Sequence, residues 1–189
     1  MNRKHHKFFI SQLLCTAWSR MAVSCLLLTA TLLAVSCITE GKHVSTDESN
    51  LVNVGQKLPD FSVTLTSGTE INTASLTGRP AVIVLFNTGC SDCRRELPVV
   101  QQLYEKYADR VSFVCISREE GREAVVQYWN DNHLTLPVSP QDDRQVFSLF
   151  ALRSIPRVYV SDASLTVRTV FAERVNEKRL RTSIEELLH

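Results

Sequence analysis

The chain has 189 residues, with 21 basic and 20 acidic side chains. Four of the basic residues and no acidic residue lie in positions 1–36, so the rest of the chain carries a formal charge of −3. This mildly acidic body argues against nucleic-acid binding, which needs a basic patch on the folded part. Hydrophobic residues at 44% and charged residues at 22% are ordinary globular values, and the body has the length of one domain.

The N-terminal segment predicts export. The basic run Asn2–Lys7 precedes the apolar run Met21–Ser36, which is shorter than the roughly 20 residues of a spanning helix and fits a secretory signal. Small residues at 34–36 precede Cys37, which resembles a bacterial lipoprotein signal whose cysteine is lipidated and becomes the mature N-terminus. A plain cleaved signal and an uncleaved anchor stay open as alternatives, and all three export the domain.

The composition divides the chain into a signal segment over residues 1–36, a flexible polar tether over 37–54 and a folded domain over 55–189. Two cysteines, Cys15 and Cys25, then belong to the signal and carry no chemistry.

In the predicted domain, strands alternate with helices. The alternating strand Asp60–Thr66 and the segment Glu70–Asn72 predict a hairpin, and the continuous apolar run Ala81–Phe86 predicts a buried central strand. The remaining predicted elements are a helix over Arg94–Tyr107, a strand over Val111–Ile116, helices over Arg122–Asn132 and Asp143–Phe150, strands over Arg157–Val160 and Val167–Phe171, and a helix over Asn176–Leu188. This order predicts an α/β domain with a central mixed sheet, helices on both faces and an N-terminal hairpin extension.

A Cys-x-x-Cys motif, Cys90 to Cys93, follows the predicted central strand and opens the next helix. The free N–H groups and the positive dipole end of a helix N-terminus favour a thiolate, so the first cysteine becomes the better nucleophile. The second cysteine, one helical turn on, can close a disulfide with it. The motif therefore predicts a dithiol that exchanges with substrate disulfides.

Zinc binding and a structural disulfide are the competing interpretations. Structural zinc needs four ligands, and the body offers no second Cys-x-x-Cys or Cys/His pair, so no metal site is expected. A structural disulfide is common in exported proteins, but so short a loop adds little loop-closure stabilisation. The redox interpretation is the favoured one.

Residues 55–188 resemble the thioredoxin-like, TlpA-type thiol-disulfide oxidoreductases of the bacterial envelope. The matching segments are GQKLPDF (55–61), LTGRPAVIVLFNTGCSDCRRELP (76–98), DDRQVFSLFALRSIPRVYV (142–160) and the terminal helix. The resemblance implies a thioredoxin-like fold, with Cys90 as the attacking thiol and Cys93 as the resolving thiol. It also implies that Ile155-Pro156 is the cis-proline pair that faces the dithiol and binds the substrate backbone; by itself, the sequence shows only a proline that opens a strand.

The resemblance further implies a role for Glu96, three residues after the second cysteine, in proton transfer near the active site; an exposed helix carboxylate is the alternative. The sequence departs from the family at Gly89, where an aromatic residue is frequent, and at Val84, where thioredoxin itself has a buried acid. No buried base is therefore expected from that strand, which leaves Glu96 as the candidate.

Several residues around the motif are expected either to change the reduction potential of the dithiol or to be structural. The carboxylate of Asp92 disfavours the Cys90 thiolate, so we expect a more reducing pair than the strongly oxidising periplasmic kind. Arg94 and Arg95 either add positive potential beside the dithiol or form a solvated helix face. Cys115, in mid-strand, is expected to be a buried inert thiol. Tyr128 and Trp129 are expected to pack their helix rather than form a substrate platform.

Three functions are compatible with these residues. The favoured one is a membrane-tethered periplasmic disulfide reductase that takes electrons from a membrane thiol-disulfide donor and passes them to exported protein disulfides. Cytochrome c maturation is one use of the family. A peroxiredoxin-like peroxidase is disfavoured because Asn87 stands where its motif has Thr or Ser. An envelope copper chaperone would need a wider cysteine spacing and a histidine ligand, for which His133 is the candidate. No cofactor is expected, and a monomer is the default.

Overall fold

The structure is a computed structural model that describes residues 49–189. The predicted signal, Cys37 and the tether as far as residue 48 lie outside these residues. Among the described helices, none combines the length and the apolar content that crossing a bilayer requires.

The domain opens with a short antiparallel hairpin. Strand β1 (Ser62–Thr64) pairs with strand β2 (Glu70–Asn72), and a 3-10 helix over Thr73–Leu76 follows. Val63 lies at the centre of β1 and is buried, as the alternation of apolar and polar residues predicts. The predicted hairpin extension is confirmed, with a first strand shorter than expected.

A five-stranded mixed sheet forms the centre of the domain. Its strands are β3 (Ala81–Phe86), β4 (Ser112–Ser117), β5 (Val138–Ser139), β6 (Arg157–Ser161) and β7 (Val167–Ala172), and their spatial order is β5-β4-β3-β6-β7. Strands β3, β4 and β5 are parallel, whereas β6 is antiparallel to both β3 and β7. Every residue of β3 is buried, which confirms the predicted central strand.

Helices cover both faces of this sheet. They are α1 (Ser91–Tyr107), α2 (Arg122–Asp131), α3 (Gln145–Phe150) and α4 (Glu177–Leu187). Helix α1 begins before the predicted Arg94, because its polar first turn gives no apolar periodicity, and it continues through Pro98. Asn176 caps α4, accepting a hydrogen bond of 2.9 Å from the backbone N–H of Arg179. The predicted α/β architecture is confirmed.

The last part of the predicted tether packs against the domain. The backbone N–H of Leu51 donates to the carbonyl of Phe150 at 2.9 Å, and the N–H of Leu152 donates to the carbonyl of Ser49 at 2.8 Å. The side chain of Val52 joins the hydrophobic core. Residues 49–54 therefore pack against the domain ahead of its predicted start at residue 55. Backbone pairing with a distant segment fixes residues 49–54, and a polar composition does not reveal such pairing.

Candidate functional site

Cys90 lies between the end of the central strand β3 and the start of α1. It is the N-cap residue of α1, and its Sγ accepts a hydrogen bond of 3.4 Å from the backbone N–H of Cys93. Cys90 is partly exposed, whereas Cys93 is fully buried, and both are free thiols in the structure. The strand ends at the mouth of the site because its apolar run stops at Asn87. The sulfur of the first cysteine is therefore accessible to a large partner, whereas that of the second is buried.

Burial dominates the electrostatics of Cys93. It raises the pKa of the Cys93 thiol far above its usual range, and the hydrogen bond with the Cys90 side chain and the charge of Asp92 act in the same direction. At neutral pH the reduced protein therefore holds Cys93 as a protonated thiol. A protonated, buried second thiol stays unreactive until the Cys90 sulfur has entered a mixed disulfide, which turns that sulfur into the electrophile that Cys93 attacks.

The loop before β6 faces the first cysteine. The peptide bond between Ile155 and Pro156 is cis. The thiol of Cys90 donates a hydrogen bond to the carbonyl oxygen of Ile155, with a sulfur to oxygen distance of 3.7 Å. The structure thus brings the two cysteines together with Ile155 and Pro156, although Cys90 and Ile155 are 65 positions apart in the chain.

Thr88 holds the loop that carries Cys90, a role that no sequence motif indicated. Its backbone N–H donates to a carboxylate oxygen of Glu120 at 2.8 Å, and its hydroxyl donates to the other oxygen. In addition, Nε of Arg94 donates to the Thr88 carbonyl at 2.5 Å. The guanidinium of Arg94 also lies 6.0 Å from the ring centre of Tyr128. Arg94 is thus a structural contact of the site rather than a freely solvated charge.

Glu96 lies on α1, one helical turn after Cys93, and is buried. Its side chain is only 9% exposed, so the alternative of an exposed helix carboxylate is wrong. Its carboxylate accepts a hydrogen bond of 3.1 Å from Nε of Arg95. Glu96 and Arg95 line an open cleft of about 510 Å³ together with residues 174–176, which precede α4. The part of Glu96 in proton transfer remains a proposal.

Asp92 is exposed and ion-paired. A guanidinium nitrogen of Arg95 lies 2.9 Å from its carboxylate, and both side chains are about half exposed. Arg95 therefore bridges Asp92 and Glu96, so the negative charge next to the dithiol is partly compensated. The influence of Asp92 on the redox pair stays a prediction, and the ion pair leads us to expect a smaller magnitude than an unpaired carboxylate would give.

The other residues singled out from the sequence are structural. Trp129 packs its ring 4.9 Å from that of Phe86 and donates its indole N–H to the carbonyl of Leu136, which confirms the packing interpretation. Cys115 is fully buried in β4, and burial raises the pKa of its thiol. His133 is exposed after the end of α2. Within residues 49–189, no group of three or more His, Cys, Asp or Glu side chains is arranged to hold a metal ion.

The site can be compared with known proteins. The AhpC/TSA family profile matches residues 54–170 of the chain. The thiol-disulfide oxidoreductase ResA of Bacillus thuringiensis is 24% identical over 129 residues, covering 67% of this chain and 75% of the relative. A thio-disulfide isomerase from Thermus thermophilus superposes with a TM-score of 0.61 at 28% identity, covering 72% of this chain and 97% of that structure.

A second solved structure agrees. A putative protein disulfide isomerase from Bacteroides thetaiotaomicron superposes with a TM-score of 0.70 at 24% identity, covering 74% of this chain and 92% of that structure. At that identity it shows the fold alone. These matches confirm the resemblance to thioredoxin-like thiol-disulfide oxidoreductases predicted from the sequence. The chain belongs to the AhpC/TSA family.

Proposed function

We propose that this protein is a thiol-disulfide oxidoreductase that reduces protein disulfides through Cys90 and Cys93. The observation that carries the proposal is the geometry of the dithiol: an accessible sulfur at a helix start, a buried thiol one turn on, and the carbonyl of Ile155 opposite. A structural disulfide needs neither the accessible sulfur nor the facing loop.

The reaction proceeds in two exchanges. Cys90 first loses its thiol proton. The resulting thiolate attacks one sulfur of the substrate disulfide, forms a mixed disulfide and displaces the other substrate sulfur as a thiolate, which takes up a proton. Cys93 then loses its proton and attacks the Cys90 sulfur, which forms the Cys90–Cys93 disulfide and releases the second substrate thiol. The substrate gains two electrons and two protons, and the protein dithiol loses them. Glu96, buried one turn from Cys93, is the proposed proton acceptor.

The substrate class follows from the loop that faces the dithiol. The proposed contact for an extended polypeptide is the backbone of Ile155, whose carbonyl faces the Cys90 sulfur. The relatives' names refer to thiol-disulfide chemistry. We propose exported protein disulfides as substrates, with cytochrome c maturation as one process that needs such a reductase. A membrane thiol-disulfide donor restores the dithiol. Lipid attachment at Cys37 holds the domain on the periplasmic side of the envelope.

Turnover of a peptide disulfide tests the proposed chemistry. The full chain, purified in detergent, should accelerate reduction of the peptide by limiting dithiothreitol. Cys90→Ser should abolish the acceleration, and Cys93→Ser should accumulate a mixed disulfide that mass spectrometry detects. Cys115→Val is the matched control and should keep the wild-type rate, because this buried thiol lies outside the exchange. A Cys90→Ser protein with the wild-type rate would contradict the proposal.

Two further measurements test its details. Cells fed a labelled fatty acid should label the wild-type protein and leave Cys37→Ser unlabelled; equal labelling would remove the lipid anchor from the account. Hydrogen peroxide should be consumed no faster with the protein than without it. Consumption that depends on Cys90 would favour the peroxidase alternative.

A further inference from the structure

Arg157 is an unusual side chain for the inside of a domain. It is the first residue of β6, directly after Pro156, and it pairs with Leu85 on one side and Ala172 on the other. Its side chain is fully buried and is the largest such side chain among the described residues. Because burying a guanidinium is costly unless its N–H groups are paired, its contacts indicate what it holds.

One set of contacts fixes the loop before the cis-proline. Nε of Arg157 donates to the carbonyls of Arg153 and Ser154, each at 3.1 Å, and Nη2 donates to the carbonyl of Arg153 at 2.9 Å. Ser154 has a φ of 65°, a left-handed conformation that residues other than glycine seldom adopt. Such a conformation persists where the surroundings determine it, and the guanidinium does so here.

A second set of contacts reaches the N-terminal segment. Nη1 donates to the side-chain oxygen of Asn50, and Nη2 donates to the hydroxyl of Ser49. The hydroxyl of Tyr159 donates to the same oxygen of Asn50 at 3.3 Å. Asn50 also forms a backbone bridge with Ala151. The residues through which the tether joins the domain are therefore fastened to the loop that faces the dithiol.

Arginine suits this position for a physical reason. Its planar guanidinium presents five N–H donors that point in several directions, whereas a lysine ammonium presents three from a single point. Only arginine can therefore serve the loop carbonyls and the N-terminal side chains at once. The loop it holds ends at Ile155, whose carbonyl lies 3.7 Å from the Cys90 sulfur.

We propose that Arg157 is a positioning residue for thiol-disulfide exchange. It holds the Ile155-Pro156 backbone at the distance from Cys90 that an incoming polypeptide disulfide needs. Its hydrogen bonds to the side chains of Ser49 and Asn50 fix the guanidinium in place. The inference rests on the proposed function. It predicts that Arg157 matters for reaction with a polypeptide and not for the intrinsic reactivity of the Cys90 thiol.

Two reaction rates, both measured with the reduced full-length protein in detergent, test this inference. One is the rate of mixed-disulfide formation with a synthetic peptide disulfide, and the other is the rate of Cys90 alkylation by iodoacetamide, which needs no loop contact. In Arg157→Lys the peptide rate should fall at least about tenfold, the loss expected for one charge-assisted hydrogen bond, while the alkylation rate stays within about twofold. Asn50→Ala, which keeps the buried charge, should lower the peptide rate about threefold through the same guanidinium.

Arg153→Gln is the matched control. It removes a neighbouring exposed arginine and keeps the backbone carbonyl that Arg157 binds, so both rates should remain at wild-type values. The inference is overturned if the peptide rate of Arg157→Lys equals that of the wild type, or if both rates fall in parallel, which would mark a general structural role. If the wild-type protein forms the mixed disulfide but cannot sustain turnover, only the proposed function is overturned. Mixed-disulfide formation and Cys90 alkylation are single reactions of the reduced protein and do not depend on turnover.

Discussion

The carboxylate of Glu120 should contribute strongly to the stability of the loop that carries Cys90. Both of its oxygens accept hydrogen bonds from Thr88, one from the backbone N–H and one from the hydroxyl. Thr88 is only 8% exposed, so loss of the carboxylate leaves two buried donors without their partner. Glu120→Ala is therefore the most informative perturbation of the scaffold.

The structure sets the magnitude. A hydrogen bond to a charged group contributes roughly 1.5–3 kcal/mol, and Glu120 is half-buried, so water can replace part of what is lost. We expect Glu120→Ala to lower the free energy of unfolding by about 2–3 kcal/mol, and Glu120→Gln, which keeps a carbonyl acceptor, by about 1 kcal/mol. In a domain of this size the alanine variant should melt roughly 6–9 °C lower than the wild type.

Urea unfolding of fragment 45–189, followed by the fluorescence of Trp129, measures this loss. Glu119→Ala is the matched control, since the neighbouring Glu119 pairs with Arg118 and Arg144 at 3.1 and 2.9 Å on the surface. Such exposed pairs contribute about 0–1 kcal/mol. If the two alanine variants lose the same free energy of unfolding, the carboxylate does not hold Thr88 and the reasoning is refuted.

Two further predictions concern charge and protonation. Asp92→Asn should raise the reduction potential of the dithiol by about 5–20 mV. The shift is modest because Arg95 already pairs with this carboxylate. Equilibration with glutathione buffers measures the potential, and an unchanged or lower value would contradict the expected sign. Burial raises the pKa of Cys115, so the stability that its thiol contributes is complete below about pH 8.5, where the unfolded thiol titrates, and is lost as the pH rises further. Between pH 9 and 10.5, the free energy of unfolding of Cys115→Val should therefore fall less steeply with pH than that of the wild type, by up to about 1.4 kcal/mol per pH unit. Equal slopes of the two proteins in urea unfolding would refute this.

Local patterns were sufficient to predict most of the fold. The run Ala81–Phe86 predicted a buried strand, because six consecutive apolar residues leave no polar face and the β-branched residues and flanking Gly78 and Pro80 favour a strand over a helix. The placement of Cys90 at the start of α1 followed from the same strand ending before a helical pattern. The two-residue strand β5 could not be predicted, since Val138 and Ser139 are too short a segment to carry any periodicity.

The supports of the candidate site depend on contacts between distant parts of the chain. Thr88 and Glu120 are 32 positions apart, and Arg157 lies 107 positions from Asn50. A carboxylate or an arginine in a strand or loop resembles many solvated charges until the fold brings its partner to it. The resemblance to a known family supplied Ile155 and Pro156, but it gave no information on the residues that hold them in place.

The reduction potential of the Cys90–Cys93 pair tests the central claim most directly. Fragment 45–189 is equilibrated in thiol redox buffers, quenched by alkylation and analysed by mass. We expect a reversible two-electron couple below about −220 mV, on the reducing side of protein disulfide isomerase. A couple near about −120 mV, where strong oxidants lie, would reverse the direction of electron flow and contradict the assignment as a reductase.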